Sequence, residues 1–275
     1  MTESTGVRRV DLAVFSAGWT THPRGTLEQE QPVPGKGILM ASVGSAMSSR
    51  RWRTVGAAVA ALLGVLALTA GCGEPEFRYV ANSDEQTYFK VPHTWQEIDS
   101  EVIDASFDGI ENDDSVAVDA RRQLWWSVAY DSDELPAPEH MTDIGTSDAP
   151  VLYASIRRQL PFQRDMTSFD LMRDVFLPVS ETRREMVAEA GAGLRGFEAL
   201  YDEVLNGEAG VHGVRTVFSY EMPTGILHTF DQTVYANQDS TVLYILLIRC
   251  TARCYRERAV ELNDIATSFT VRSKV

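Results

Sequence analysis

The sequence 241-TVLYILLI-248 decides the fold, because every residue from Val242 to Ile248 is apolar. Successive side chains of a strand point to opposite faces of its sheet, so a strand without polar residues needs cover on both faces. We therefore expect this run to form an inner strand. Helices are expected to pack on each face of the sheet around it.

Further strands are predicted on both sides of this run. Asn206-Gly207 and the glycines at 210 and 213 indicate a hairpin, after which residues 214–220 and 226–236 alternate as paired strands. Upstream, β-rich runs occupy residues 87–91, 124–130, 151–156 and 197–204. The acidic, proline-containing stretch 131–150 is predicted to be a loop.

Three helical segments are predicted between and after these strands. Phe169, Met172 and Phe176 lie three and four residues apart, which is the spacing of one helix face. A second helix is predicted over residues 180–189, ending at glycines, and a last one over residues 253–266. Together these elements predict an α/β fold with a mostly antiparallel sheet and helices on both faces.

An export signal is predicted upstream, at 50-RRWRTVGAAVAALLGVLALTAGC-72. Three arginines precede an apolar run of the length that a signal peptidase substrate needs. The end of the run, Leu68-Thr69-Ala70-Gly71-Cys72, resembles the lipobox of bacterial lipoproteins, although Thr69 stands where leucine is commoner. This resemblance implies that Cys72 receives a diacylglyceryl group and, after cleavage, becomes the palmitate-bearing first residue.

An uncleaved membrane-spanning anchor is the alternative for this segment. Residues 54–73 carry no charge and are just long enough to cross a bilayer. Either interpretation leaves the rest of the chain outside the cytoplasm, because the arginines stay on the cytoplasmic side.

The chain is expected to divide into four parts. Residues 1–39 mix acids, prolines and glycines and are expected to be an untranslated or disordered extension, with translation starting at Met40 or Met47 and not at Met1. Residues 40–71 are the predicted lipoprotein signal peptide, 72–78 a lipidated tether, and 79–275 a folded domain.

The predicted exported part is strongly acidic. From Cys72 onwards it carries 18 Lys and Arg against 35 Asp and Glu, a formal charge of −17. Such a charge repels nucleic acid and anionic lipid headgroups, which leaves the lipid on Cys72 as the expected membrane contact. Nucleic-acid binding is therefore not expected. For an exported, anchored domain the expected partner is an envelope protein or other envelope component.

Two cysteines remain after Cys72 is assigned to lipid. Cys250 and Cys254 are spaced C-T-A-R-C, and in an oxidising compartment we expect them to form a structural disulfide. The alternative is a redox-active pair, but thiol oxidoreductases place two residues between their cysteines and not three.

The sequence lacks the common motifs of serine hydrolases and zinc hydrolases. It contains neither G-x-S-x-G nor H-E-x-x-H, and His93, His140, His212 and His228 are far apart, so each is expected at the surface or at a sheet edge. We therefore expect no catalytic residues, cofactor or metal. The candidate calcium ligands are Asp131, Asp133 and Glu134 in the acidic loop, for which a solvated loop is the alternative.

The two ends of the predicted domain resemble a known family. Tyr79-Val80-Ala81-Asn82-Ser83-Asp84, then Tyr88-Phe89-Lys90-Val91-Pro92 and Trp95, resemble the start of Mog1/PsbP-like domains, and residues 265–271 are similar to their end. The pattern is similar to that of LpqN-type actinobacterial lipoproteins.

This resemblance implies an α/β/α sandwich that serves as a non-catalytic binding or assembly module. The expected function is thus that of an exported, membrane-anchored lipoprotein. The alternatives are a carrier of a small molecule or lipid, and an envelope hydrolase whose site is assembled from dispersed residues.

Overall fold

A computed structural model describes residues 75–108, 115–143, 145, 147–191 and 194–272. The predicted signal peptide, Cys72 and the next two residues of the predicted tether lie outside this range. Within it, none of the helices has both the length and the apolar character that crossing a bilayer requires.

Ten strands and eight α-helices form in the described residues. The strands are β1 (Phe77–Asn82), β2 (Thr87–Pro92), β3 (Gln96–Ile98), β4 (Trp125–Asp131), β5 (Val151–Arg158), β6 (Arg195–Asn206), β7 (His212–Glu221), β8 (Leu227–Ala236), β9 (Val242–Thr251) and β10 (Thr270–Val271). The helices are α1 (Ser100–Asp108), α2 (Ser115–Leu124), α3 (Glu139–Thr142), α4 (Pro161–Arg164), α5 (Phe169–Arg173), α6 (Glu181–Glu189), α7 (Ala252–Glu257) and α8 (Ala259–Ser268).

The main sheet has seven strands in the order β3-β4-β5-β9-β8-β7-β6. Every neighbouring pair is antiparallel. The apolar run that predicts an inner strand lies in β9, at the middle of this order, where β5 and β8 pair with its two edges. All ten residues of β9 are buried, as its composition requires.

One face of this sheet packs against α8 and β2. Leu246 and Ile248 of β9 point into this core, which we call the α8 core. Across from them lie Leu262 and Ile265 of α8, three residues apart on one helix face. Phe89 of β2 and Trp95 fill the space beside α8, and both are almost completely buried.

The opposite face packs against α1, α3, α5 and the segment after α5. Ile245 and Leu247, which alternate with the previous pair along β9, point into this second core, which we call the α5 core. Helices contribute Ile103, Met141 and Met172 to it. The predicted α/β fold with an antiparallel sheet and helices on both faces is therefore confirmed.

A second, smaller sheet joins the first and last described segments. Its order is β1-β2-β10, with both pairings antiparallel. Phe89 of β2 meets Phe269 edge to face, with ring centroids 6.3 Å apart. Burying aromatic pairs of this kind stabilises the contact between the small sheet and the chain after α8.

Two features of the helices differ from the expectation. The predicted last helix is divided at Arg258, where backbone angles of −111° and 18° interrupt it between α7 and α8. Helices α1 to α4 were not predicted, and α3 lies within the stretch 131–150 that was expected to be a loop. In α1 the apolar face consists only of Ile103 and Phe107, which is too short a pattern to recognise among the acids around it.

Candidate functional site

Strand β6 forms one edge of the main sheet and is its most exposed element. Among the described strands it pairs with β7 alone. Ten of its twelve residues are exposed and none is buried, whereas eight of the ten residues of β7 are buried. Three large apolar side chains of β6 remain in solvent: Leu200, Tyr201 and Val204 are 48%, 44% and 42% exposed.

The charges of β6 are mainly acidic. The strand contains three acidic residues, Glu198, Asp202 and Glu203, and one basic residue, Arg195. Asp202 is held by Arg173 of α5, whose Nη2 lies 2.9 Å from Oδ2. Glu203 accepts a hydrogen bond from the Tyr201 hydroxyl. The edge therefore combines exposed apolar groups with negative charge.

Beside the first residues of β6 lies a cleft of about 260 Å³. It opens between α6 and the strand, and Arg184 covers part of its wall, with the guanidinium carbon 4.3 Å from the centroid of the Phe197 ring. Its lining is mainly apolar and includes Pro178, Val187, Ala188, Leu194, Phe197 and Tyr220. We call β6 together with this cleft the β6 surface.

The position of α6 beside the strand is fixed by polar contacts at its start. The Asp174 carboxylate accepts hydrogen bonds from the backbone N–H groups of Val179 and Ser180, at 2.7 and 2.8 Å. The Ser180 hydroxyl in turn caps the helix by accepting from the N–H of Arg183. Tyr220 of β7 donates its hydroxyl to the Pro178 carbonyl, and burial raises the pKa of this tyrosine to about 12.

A buried ion pair supports the sheet behind β6. Arg215 of β7 binds Asp231 of β8 through two hydrogen bonds of 3.0 and 2.7 Å. Asp231 also accepts from the Tyr255 hydroxyl at 2.8 Å, and Arg215 donates to Asn263 of α8 at 3.0 Å. Burial raises the pKa of Tyr255, and the negative charge of Asp231 raises it further. This network ties β7 and β8 to the helices on the α8 side.

Two of the three candidate calcium ligands, Asp131 and Asp133, stabilise the conformation of their own loop. Buried Asp131 accepts from the N–H groups of Asp133 and Ala137 and lies 2.6 Å from Nδ1 of His140. Asp133 accepts from the Ser147 hydroxyl, which lowers its pKa, while Glu134 is exposed. Across the residues that the structure describes, no three His, Cys, Asp or Glu side chains are grouped so that they would hold a metal ion.

Both remaining cysteines are buried and lie together at the end of β9 and in α7. Their sulfurs are not bonded here. A hydrogen bond between the two thiols raises the pKa of Cys250 and lowers that of Cys254. The disulfide stays a prediction, and the contact between the thiols is compatible with it.

Two of the histidines expected at the surface are buried. His140 is held by Asp131, and His228 is completely buried beside Arg249, with 3.3 Å between His228 Nδ1 and Arg249 Nη1. The expectation was wrong for these two because burial depends on how the folded chain packs around a residue, which local sequence patterns do not reveal.

A buried polar cluster under α1 also escaped the sequence analysis. Asp104 accepts from the Tyr153 hydroxyl at 2.6 Å and from the Ser127 hydroxyl at 2.7 Å. Burial raises the pKa of Asp104 and raises that of Tyr153 to about 12. Arg157 lies over the Trp125 ring at 4.1 Å beside this cluster. All these groups are engaged with one another, so the cluster links α1 to the sheet.

No protein-family model and no curated protein matches this chain. Several solved structures are similar. Cyanobacterial PsbP (CyanoP) from Synechocystis has 16% identity and a TM-score of 0.40, over 74% of this chain and 96% of that one.

Two other similar structures come from yeast and a mycobacterium. The Ran-binding protein Mog1p of Saccharomyces cerevisiae has 11% identity and a TM-score of 0.36, over 71% of this chain and 95% of that one. LpqN of Mycobacterium tuberculosis, described as involved in cell envelope biogenesis, has 14% identity and a TM-score of 0.37, over 73% and 93%. The expected resemblance to these proteins is confirmed, but likenesses of this size carry no statement about partner or activity.

Proposed function

We propose that this chain is an exported, lipid-anchored, non-catalytic binding module of the cell envelope, and that a protein partner docks on its β6 surface. The observation that carries the proposal is the contrast between exposed β6 and buried β7. A sheet edge that keeps Leu200, Tyr201 and Val204 in solvent is a surface that a partner would cover.

The size of the cleft favours a protein partner over a small ligand. Pockets that enclose small molecules usually measure about 300–1,000 Å³ and surround most of the ligand. The cleft beside β6 is about 260 Å³ and open to one side of an exposed strand. It is large enough for one apolar side chain of a partner, so the carrier alternative has less support.

The proposed location rests on the sequence before the described residues. The arginine cluster, the apolar run and Cys72 support export followed by lipidation. Labelling with radioactive palmitate in the native organism tests this part. The label should appear on the wild-type product and be absent from Cys72→Ala, and an unlabelled wild-type product would overturn the anchor.

Photo-crosslinking tests the docking surface. A photoreactive amino acid at Leu200 should give a defined adduct with one envelope protein in living cells. The matched control is Val260 of α8, which is 81% exposed on a different element and should give none. Adducts of equal yield from both positions, or none from either position and from Tyr201 and Val204 as well, would contradict the proposal.

A further inference from the structure

The second half of β6 is a regular strand with a free edge. Tyr201 to Asn206 pair without interruption with Val217 to His212 of β7, whereas register shifts occur earlier, around Glu198 and Ala199. On its other side this segment has no neighbouring strand in the described part of the chain. The outward backbone N–H and C=O groups of such an edge are available to pair with another extended segment.

Two glutamates mark one side of this edge. Glu198, Tyr201 and Glu203 lie opposite Ser219, Val217 and Arg215 of β7, which alternate along that strand, so the three side chains share one face of the sheet. Both glutamates belong to exposed positions. An added strand would place alternate side chains next to them, about 5 Å from β6.

The negative charge of this edge favours a basic segment over a second copy of this chain. A second copy of this chain would bring the same acidic strand against itself, and like charges opposite each other destabilise strand pairing. The formal charge of −17 from Cys72 onwards adds long-range repulsion between copies. A segment with basic side chains on one face is complementary to Glu198 and Glu203.

From these observations, and resting on the proposed function, we infer that the partner supplies an extended basic segment that pairs with residues 201–206 of β6 as an eighth strand of the main sheet. Main-chain hydrogen bonds hold the segment, and alternate basic side chains next to Glu198 and Glu203 select it. The apolar side chains of Leu200 and Val204 become covered when it binds.

Synthetic peptides test this inference on the full, processed protein in detergent micelles. The probes are three fluorescein-labelled decapeptides: one alternates Thr and Lys, one alternates Thr and Glu, and one is the lysine peptide with an N-methylated backbone. Fluorescence anisotropy should show that the lysine peptide binds about tenfold more tightly than the glutamate peptide, as expected for two exposed ion pairs. N-methylation should abolish this binding, because the pairing N–H groups are removed.

Charge-reversal variants give the matched control. The double variant Glu198→Lys with Glu203→Lys should reverse the preference and bind the glutamate peptide more tightly. Glu76→Lys with Glu257→Lys makes the same change in net charge at two exposed positions elsewhere, and this variant should still bind the lysine peptide more tightly than the glutamate peptide. Amide hydrogen exchange should slow in residues 201–206 when the lysine peptide binds to wild type, which also reports that β6 is folded.

Three results would overturn the inference. They are equal binding of the N-methylated and unmodified lysine peptides, loss of preference in both double variants alike, and no change in amide exchange in β6. If any of these occurs while Leu200 still crosslinks to one protein, the proposed docking surface survives and only the strand-addition mode is wrong. Loss of the crosslink removes the proposed function itself.

Discussion

His228 shows how burial controls the charge of a single residue. Its ring is fully buried, Nδ1 accepts from Arg249, and no partner for Nε2 is present among the described residues. Burial, followed by the nearby guanidinium, lowers the pKa of His228 to about 4. Burial also lowers the pKa of Arg249, to about 10. The folded protein thus keeps this histidine neutral.

A loss of stability in acid follows from this depressed pKa. Unfolded His228 binds a proton near pH 6.5 but the folded form only near pH 4, so stability should fall as the pH drops between these values. Between pH 7.5 and 4.5 this residue should account for about 2–3 kcal/mol. Urea unfolding at pH 7.5 and at pH 4.5 measures this change in the free energy of unfolding. His228→Gln should remove this part of the pH dependence and the surface control His93→Gln should not. Equal slopes in wild type and His228→Gln would contradict the assignment.

The ion pair between Arg215 and Asp231 should matter far more than an exposed pair. Asp231 is completely buried and Arg215 nearly so. Asp231→Ala leaves a buried guanidinium without its carboxylate and should cost about 3–5 kcal/mol. Asp148→Ala breaks a pair with Arg253 in which both side chains are more than 60% exposed, and should cost less than about 1 kcal/mol. Denaturant midpoints measure both, and similar costs would mean that the inner pair is better solvated than its geometry indicates.

Among the secondary structure elements, those with long and unambiguous patterns were predictable. Strand β9 follows from an unbroken apolar run, and α6 from a serine cap and a glycine stop. The edge position of β6 could not be predicted, because it depends on which strands pair far apart in sequence and not on the composition of β6. For the same reason the cleft that α6 and β6 form together could not be predicted.

The junction of β9 and α7 should be stabilised by oxidation. Cys250 and Cys254 are both buried at this junction, and a bond between them would close a five-residue loop and contribute about 2 kcal/mol by chain entropy. Intact mass after treatment with an alkylating reagent should show that neither cysteine of the native protein is alkylated. Reduction should lower the unfolding midpoint of wild type and leave the double variant Cys250→Ser with Cys254→Ser unchanged. Free thiols in the exported protein would disprove the disulfide.

For the whole molecule, the net negative charge predicts how the chain associates with a membrane. An acidic body is repelled by anionic headgroups, so the anchor alone should hold it. Cys72→Ala should appear in the soluble fraction, and the released protein should not sediment with phosphatidylglycerol vesicles even at low salt. Wild type should resist extraction by high salt. Retention of Cys72→Ala in membranes would instead support a spanning helix over residues 54–73.

The central position of β9 sets the order in which this fold can be completed. Strands β3 to β5 lie on one side of β9, and β6 to β8, which precede it in the chain, lie on the other. Arg158 at the end of β5 can pair with Val242 only after the ribosome has synthesised the segment between them, which contains β6 to β8. A chain that leaves the ribosome or a translocon N-terminus first therefore cannot close its sheet until β9 emerges. Until then β5 and β8 each lack one neighbour, and the two halves of the sheet stay apart.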